Sequence, residues 1–428
     1  MGLQTRKKSI NISRNKAGAV IAAGGYGCVF RPPINSVKFK TKLEEQIYIT
    51  KLMTKREAND EMKSIRKFLP IIKKIKGYAS HILLDDIFLA KSDEFGPLTS
   101  EDKINFNSKC KGPLGKSINK YNVNNNISSL SAIYIPDGGI TIESALNKSS
   151  DYNIGLLTMG IIKVLNNIIV PMNKRGLIHG DLKGSNMLVN ENFAAARTIP
   201  DIKVIDWGLS YVVQPASMSF LFDLSIMYNL PFSSMLLNTN LAPTFSLLKG
   251  KKIAFHELTE MAGKIIKKNI GDYGEGHMEF MKQVFSKISP KFPSTKSLDD
   301  YMKQYIATIL EKYLIINTGV LITTISIDVD KYFHEVYRYN CDIWGVISSY
   351  VDIDLPSSKM SDIIIKILYK YLYSSKYAAS RIPLAELEKD LIKIVRKSGV
   401  KGVGKLHKVS KRKRRTNLHL HQTFKNYI

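Results

Sequence analysis

The stretch that decides the fold runs from Gly176 to Ser210 and reads GLIHGDLKGSNMLVNENFAAARTIPDIKVIDWGLS. It contains two short apolar segments, Met187–Val189 and Ile202–Ile205, which have the composition of buried strands. Four polar residues flank these segments at predicted loop positions: Asp181, Lys183, Asn186 and Asp206. Two carboxylates, an amide and an ammonium group in such loops are the groups that metal-assisted phosphoryl transfer requires.

The Asp-Leu-Lys-x-x-Asn spacing and the later Asp206-Trp207-Gly208 resemble the catalytic and metal loops of the protein kinase family. Either half alone is a common turn sequence, but here both occur in order beside apolar segments. The resemblance implies that Asp181 accepts the proton of the substrate hydroxyl and that Lys183 lies near the transferred phosphoryl group. It also implies that Asn186 and Asp206 bind Mg²⁺, with ATP as the phosphate donor.

The same resemblance covers roughly residues 20–375 and implies a fold class. We expect an α+β, bilobal, protein-kinase-like fold, with a small antiparallel-sheet N-lobe and a mainly helical C-lobe that carries a helical insertion. The predicted divisions are a basic N-terminal arm at 1–16, an N-lobe at 17–137, a C-lobe at 138–396 with an insertion at about 247–312, and a basic C-terminal tail at 397–428.

Glycines between two apolar segments form the first candidate nucleotide contact. Gly24, Gly25 and Gly27 are followed by Val29, and glycines let backbone N–H groups approach phosphate oxygens. This arrangement is similar to the kinase glycine-rich loop, although Gly-Gly-Tyr-Gly departs from the G-x-G-x-x-G pattern. An ordinary hairpin turn is the alternative interpretation.

A lysine that contacts the phosphates is expected one strand later. The segment 34–39 is predicted to be a short strand that carries Lys38, and Lys40 shares its face by the period of two. Residues 43–69 have a charged helical pattern, in which a glutamate should pair with the lysine. We expect Glu61 in this role rather than Glu57, because an apolar residue follows Glu61 one turn later.

The next apolar segment resembles the kinase hinge. Ile133 and Ile135 belong to a predicted strand that leads into Pro-Asp-Gly-Gly and then a helix start. The resemblance implies that backbone groups here hydrogen-bond the adenine edge, and a plain strand-turn-helix is the alternative. Residues 91–130 are predicted to form a surface excursion between strands, and residues 151–175 a core helix that ends at Gly176.

After Gly208 the chain departs from the common kinase pattern, since no Ala-Pro-Glu follows. Residues 220–236 are predicted to take the place of the substrate-facing segment, with a turn at 229–233. The later Asp342-Ile-Trp344-Gly345 is similar to the region that begins the large buried helix of the kinase C-lobe. There Asp342 would accept hydrogen bonds from backbone groups of the catalytic loop.

Composition limits the environment and the partners. The 428 residues carry a formal net charge of +26, which predicts attraction to polyanions such as nucleic acid or anionic membrane through the basic surface and tail. No apolar run has the length of a membrane span. Cys28, Cys110 and Cys341 lie far apart and are odd in number, which indicates a reducing, intracellular setting. The sequence does not define the oligomeric state.

Two departures from the kinase pattern leave alternatives open. Gly180 replaces the arginine that holds a phosphorylated activation loop in many kinases, so we expect activity without that phosphorylation. Trp207 replaces phenylalanine, and with the His-Gly-Asp triplet it resembles small-molecule phosphotransferases of the aminoglycoside and choline type. The Asp-x-Lys pattern favours a serine/threonine protein kinase that acts on protein substrates.

The short sheet lobe, the His-Gly-Asp triplet and the missing Ala-Pro-Glu also resemble putative serine/threonine kinases of large nucleocytoplasmic DNA viruses. That resemblance implies a location in host cytoplasm or in the virion. The competing class is a non-catalytic, kinase-shaped scaffold that binds polyanions.

Overall fold

The computed structural model describes residues 19–24, 27–39, 47–110, 114, 117–147, 149–213, 226–237, 241, 253–318, 323–351 and 358–400. These residues divide into two compact units. The first contains the chain up to Arg66 together with Leu83–Asp137, and the second contains Lys67–Ile82 and the chain from Gly138 onward. Residues 67–82, which the sequence analysis placed in the N-lobe, therefore belong to the second unit.

A five-stranded antiparallel sheet organises the first unit, in the order β1-β2-β3-β5-β4. The strands are β1 Ala19–Gly24, β2 Gly27–Arg31, β3 Tyr48–Thr54, β4 Phe88–Lys91 and β5 Leu130–Pro136. Helix α1, Lys55–Ile72, follows β3 directly, and the short helices α2, Ser92–Phe95, and α3, Phe106–Lys109, follow β4.

The start of α1 differs from the sequence prediction. A helical pattern was expected over residues 43–69, but Tyr48–Thr54 is a strand that pairs with both β2 and β5. This strand reads Tyr-Ile-Thr-Lys-Leu-Met-Thr, and its β-branched and aromatic residues suit a sheet. The predicted strand at 34–39 is also wrong, because these residues form no strand and Val37 and Lys38 lie in a turn.

One face of the sheet carries the hydrophobic core of the first unit. Alternate strand residues such as Phe30, Leu52 and Tyr134 are buried there. The segment between β4 and β5 packs against this face through Phe95, Leu98, Phe106, Leu114 and Val123. The prediction of a surface excursion at 91–130 is therefore wrong in its main point, since this segment supplies half of a core.

A disulfide joins Cys28 of β2 to Cys110, the residue after α3. The two residues are 82 positions apart in the sequence, and the folding of 91–110 over the sheet brings them together within the core. Sequence separation did not indicate this pair. Cys341, in the second unit, is a buried free thiol.

The second unit is mainly helical. Its strands are short: β6 Ile140–Thr141, β7 Leu177–Ile178, β8 Met187–Val189, β9 Lys203–Val204, β10 Tyr211–Val212, β11 Leu314–Thr318 and β12 Thr323–Ile327. Its helices are α4 Ile142–Asn147, α5 Asp151–Val164, α6 Val170–Lys174, α7 Phe193–Ala196, α8 Phe255–Tyr273, α9 Gly276–Ile288, α10 Leu298–Tyr313, α11 Val329–Tyr332, α12 Arg338–Ser348, α13 Ser358–Leu368 and α14 Leu384–Lys397.

The predicted core helix is confirmed. Helices α5 and α6 continue into each other through a π-helical segment, Leu165–Ile169, and Ser150 caps the start by accepting a hydrogen bond from the N–H of Asn153. Gly176 follows the end with a φ of 77°, in the left-handed region that favours glycine. The apolar residues Ile154, Leu157, Ile161, Leu165, Ile168 and Ile169 are fully buried.

This helix, Asp151–Lys174, is also the one helix among the described residues that is long and apolar enough to cross a membrane. About two thirds of its most apolar stretch is buried inside the protein, as expected for a core helix. Helices α8, α9 and α10 form the described part of the predicted insertion, which is helical as expected.

Candidate active site

The loop between β7 and β8 presents Asp181, whose side chain is almost completely buried. Two donors hold its carboxylate within this loop. The Nζ atom of Lys183 lies 3.0 Å from Oδ1 and 2.9 Å from Oδ2. The Nδ2 atom of Asn186 lies 2.9 Å from Oδ2 and 2.8 Å from the backbone oxygen of Asp181. Three of the four residues of the predicted catalytic and metal set are therefore in direct contact.

Asp342 supports this loop from helix α12. Its buried carboxylate accepts hydrogen bonds from the backbone N–H groups of His179 at 2.9 Å and Gly180 at 3.0 Å, and from Nδ2 of Asn173 at 2.6 Å. The predicted role of Asp342 as an acceptor for backbone groups of this loop is confirmed. A buried carboxylate is tolerated where donors surround it, so the contact positions the loop and stabilises the carboxylate together.

The same helix approaches the loop closely at Gly345. A Cβ atom on this residue would lie 2.2 Å from the backbone oxygen of Leu182, which is the residue after Asp181. Only a glycine allows the helix to pack at this separation. The contact with the loop therefore explains why residue 345 is a glycine.

Asp206 lies beside Asn186 because β8 and β9 pair in antiparallel register. Met187 faces Val204, and the N–H of Ile205 donates to the backbone oxygen of Asn186 at 3.1 Å. Asp206 has a φ of 62°, which is uncommon for a residue other than glycine. Such conformations cluster at functional sites, where surrounding contacts maintain them.

Trp207 is buried against His179, with ring centroids 4.9 Å apart, and against Phe68, with centroids 6.4 Å apart. His179 is itself buried, and its Nε2 atom lies 3.0 Å from the backbone oxygen of Ile205. The two loops are thus joined by a ring contact and a hydrogen bond. This packing places the Asp206 backbone relative to the Asp181 loop.

Gly180 has a φ of 77°, and a Cβ atom there would lie 2.8 Å from the backbone oxygen of Leu209. Ser210 donates from Oγ to the backbone oxygen of His179 at 3.0 Å, and β10 pairs with β7. The chain after Asp206 is therefore attached to the Asp181 loop by protein contacts, and Gly180 leaves no space for an arginine side chain.

Burial and two carboxylates determine the protonation state of the Cys341 thiol, which precedes Asp342 in the chain. Desolvation raises the pKa of Cys341 well above its usual value, and the charges of Asp342 and Asp181 raise it further. A thiol in this state remains protonated, so Cys341 is unsuited to act as a nucleophile.

The predicted pairing of Lys38 with Glu61 is wrong, because Glu61 pairs with Lys51 instead. Lys51 of β3 places Nζ 2.7 Å from Oε2 of Glu61 on α1, and both side chains are only 11% exposed. Lys38 instead pairs with Glu94 at 3.0 Å and donates to the backbone oxygen of Leu89. Glu57 accepts from Thr54 near the start of α1, and Lys40 lies outside the described residues.

The charged pattern from residue 43 predicts a helix that includes Tyr48–Thr54. For this reason Lys51 was not predicted as the partner of Glu61, and Lys38 was predicted instead. The β-branched and aromatic residues at the start of Tyr48–Thr54 favour a strand and were the signal that could have identified Lys51. The choice of Glu61 over Glu57 agrees with the observed ion pair, although its partner differs from the predicted one.

Three predicted nucleotide contacts share a sheet face with Lys51. Val29, Lys51 and Ile133 are direct neighbours across β2, β3 and β5, and Ile135 lies two residues along from Ile133. Residues opposite each other in register point to the same face. This face is opposite to the one that carries the hydrophobic core.

The glycines lie in the hairpin between β1 and β2, where Gly24 faces Gly27. Gly25 is outside the described residues. A Cβ atom on Gly27 would lie 2.9 Å from the backbone oxygen of Leu52, so the neighbouring strand requires a glycine here. The hairpin itself is observed, and contact with phosphates stays a prediction.

The oxygens of Asp206 and Asn186 are the expected Mg²⁺ ligands. Both contacts of the Asn186 amide nitrogen are to Asp181, so its Oδ1 is the side-chain atom that could bind a cation. Among the described residues no group of three or more His, Cys, Asp or Glu side chains could hold a metal ion. This donor set fits Mg²⁺, which commonly uses one or two protein ligands together with substrate phosphates.

Asn229 also contacts the carboxylate, and the sequence analysis missed it as a site residue. Its Nδ2 atom lies 2.8 Å from Oδ1 of Asp181. Asn229 lies in a turn, in agreement with the turn predicted at 229–233, and the 3₁₀ helix Phe232–Leu237 follows it. No local motif marks the residue, because the contact joins positions 48 apart in the chain.

No protein-family model and no curated protein sequence matches this chain. Among solved structures, the chain is similar to the structure of vaccinia related kinase 3. The sequence identity is 12%, the match covers 87% of this chain and 85% of that chain, and the TM-score is 0.34. At this identity and TM-score the likeness carries no argument about function.

Proposed function

We propose that this protein is an ATP-dependent serine/threonine protein kinase, which transfers the γ-phosphate of ATP to protein hydroxyl groups. The observation that carries the proposal is the Asp181 carboxylate, held by Lys183 and Asn186 on a loop that Asp342 supports. A carboxylate with this environment can orient an acceptor hydroxyl and accept its proton.

Each of the four polar residues of the site has a separate proposed role. Asp181 orients the acceptor hydroxyl, and the Lys183 ammonium offsets the charge of the transferred group. Asn186 and Asp206 would hold Mg²⁺, which when bound supplies positive charge against the phosphates. The low exposure of Asp181 strengthens these electrostatic interactions, since they are weaker in bulk water.

The first unit supplies the phosphate contact. Lys51 replaces Lys38 in this role, because its Nζ atom is fixed by Glu61 on a sheet face that also carries Val29 and Ile133. The backbone N–H groups of the glycine hairpin are proposed to contact phosphate oxygens. Ile133 and Ile135 are proposed to present strand β5 to the adenine edge.

The Asp-x-Lys spacing favours a protein acceptor over a small alcohol. Lys183 contacts both carboxylate oxygens of Asp181, so it lies close to the position where transfer takes place. The assignment to large DNA viruses, the location in host cytoplasm or virion, and polyanion contact through the basic tail are proposals that rest on the sequence.

The deciding experiment incubates the purified protein with labelled ATP and Mg²⁺, and with a panel of basic proteins, acidic proteins and small alcohols. We expect phosphoserine or phosphothreonine in at least one protein, and no label with the Asp181→Asn variant. Label only in a small alcohol would favour a small-molecule phosphotransferase. Absence of any label, together with no Mg²⁺-dependent thermal stabilisation by ATP, would favour the scaffold.

A further inference from the structure

The segment 226–237 holds a buried asparagine against the carboxylate of the proposed catalytic residue. Asn229 is fully buried, and its Nδ2 atom donates to Oδ1 of Asp181 at 2.8 Å and to the backbone oxygen of Leu182 at 3.2 Å. Both neighbours are acceptors only, so the amide must direct its NH₂ group toward them. The orientation of the amide follows from its surroundings.

The oxygen atom of the Asn229 amide lowers the stability of the fold. The Oδ1 atom of Asn229 is buried and has no hydrogen-bond partner within the described part of the chain. A buried acceptor without a partner lowers stability. This cost offsets part of the stability that the two donated hydrogen bonds contribute.

Asn229 completes a set of three donors around one carboxylate. Oδ1 accepts from Lys183 and Asn229, and Oδ2 accepts from Lys183 and Asn186. In the proposed reaction the Lys183 ammonium also serves the transferred phosphoryl group. The two neutral amides then hold one carboxylate oxygen each, which keeps the plane of the carboxylate fixed while the lysine shifts.

Contacts outside the loop fix the segment that carries Asn229. The N–H of Ile226 donates to Oδ1 of Asn269 at 3.1 Å, and Nε1 of Trp344 donates to the backbone oxygen of Tyr228 at 3.1 Å. Tyr332 donates to Oγ of Ser233 at 2.7 Å. The segment that carries Asn229 is therefore held by helices α8, α11 and α12 in addition to its contacts with the Asp181 loop.

We infer that Asn229 is a positioning residue for phosphoryl transfer, which orients the Asp181 carboxylate toward the acceptor hydroxyl. This inference rests on the proposed function. The amide acts through Asp181 and contacts neither ATP nor the reacting atoms in this role. Its effect is therefore on the rate of transfer and not on the affinity for nucleotide.

The test uses Asn229→Leu and Asn229→Ala in the full chain. We expect kcat to fall about 10- to 100-fold in both, since small misplacement of a reacting group has effects of this size. KM for MgATP should stay within about two-fold of the wild-type value. The Tm of Asn229→Leu should fall less than that of a variant that loses a fully paired amide, because the unpaired acceptor is removed together with the two donated hydrogen bonds.

Asn340→Leu is the matched control. Asn340 is also buried in the second unit, but its amide donates to the backbone oxygens of Tyr377 and Ser380 and accepts from the N–H of Ile382. All its polar atoms are used by the fold. We expect its Tm to fall while kcat per folded molecule stays unchanged, whereas Asn229→Leu lowers kcat.

Wild-type kcat in a folded Asn229→Leu or Asn229→Ala protein would overturn the inference alone, and leave the proposed function intact. If the leucine variant does not fold, the alanine variant decides, because its side chain is smaller than that of asparagine and lacks the donor. A wild-type protein without Asp181-dependent transfer would overturn the proposed function, and this inference with it.

Discussion

Lys51 and Glu61 form an ion pair between strand β3 and helix α1, with Nζ and Oε2 2.7 Å apart and each side chain 11% exposed. Two charges at this depth are stabilised only if both partners remain, because the loss of one leaves the other partly buried without compensation. The pair therefore fixes the direction of the lysine as well as the position of the helix. It is the contact in the first unit on which the proposed function depends most.

We expect Lys51→Met to lower kcat/KM for MgATP by about 10²- to 10³-fold, because a fixed cation that stabilises phosphate charge is removed. Lys38→Met is the matched control, since the exposed Lys38 lies in a turn and pairs with Glu94. Steady-state kinetics on both variants make the comparison. A larger loss with Lys38→Met than with Lys51→Met would contradict the corrected assignment.

Asp181→Asn should lower phosphoryl transfer by about 10²-fold or more, because an amide cannot accept the hydroxyl proton. Binding of MgATP, measured by calorimetry, should persist. Asp201→Asn serves as the control, since Asp201 pairs with Lys163 at a half-exposed position. Substantial turnover in the Asp181 variant would show that this carboxylate is not the catalytic one.

Asp342→Ala should lower the free energy of unfolding by about 3 kcal/mol or more. The change leaves the buried N–H groups of His179 and Gly180 without their acceptor, and each such loss costs about 1–3 kcal/mol. Urea denaturation measures the difference. The exposed Asp362→Asn should change the value by less than about 0.5 kcal/mol, and equal effects of the two substitutions would argue against the supporting role.

Activity should not depend on phosphorylation of the chain itself. Gly180 leaves no space for a side chain beneath Leu209, and Ser210 and strand β10 attach this segment to the loop through protein contacts. Treatment with a phosphatase, followed by its removal, should leave the initial rate nearly unchanged. Collapse of activity that returns after incubation with ATP would refute this expectation.

Acid should destabilise the second unit through His81. Burial lowers the pKa of this imidazole, which lies against the backbone oxygen of Ile202 and the amide of Asn167. Since the unfolded chain binds the proton more readily, stability rises with pH below the usual histidine pKa of about 6.5 and levels off above it.

The measurement compares Tm at pH 5.5 and pH 7.5 for the wild type and for His81→Asn. We expect the wild type to lose more stability than the variant on acidification. His334→Asn is the control, because His334 is partly exposed beside Asp330. A wild-type loss no greater than that of His81→Asn would show that His81 does not govern this dependence.

The sequence alone determined those features whose information is local. Periodic apolar residues and a following glycine predicted the core helix from Asp151, and the spacing of Asp181, Lys183 and Asn186 placed these three residues in one loop. The role of Asp342 as an acceptor for backbone groups of this loop followed from the resemblance of Asp342-Ile-Trp344-Gly345 to a kinase pattern.

The tertiary structure decided which distant residues meet. Lys51 lies in a charged segment whose pattern predicts a helix. Only the pairing of β3 with β2 and β5 shows that this lysine belongs to a strand. Asn229 reaches Asp181 across 48 residues, and Cys28 reaches Cys110 across 82, through folding of segments that have no shared pattern. Hydrophobic periodicity specifies an element and its buried face, whereas the partner of a polar side chain depends on how these faces pack together.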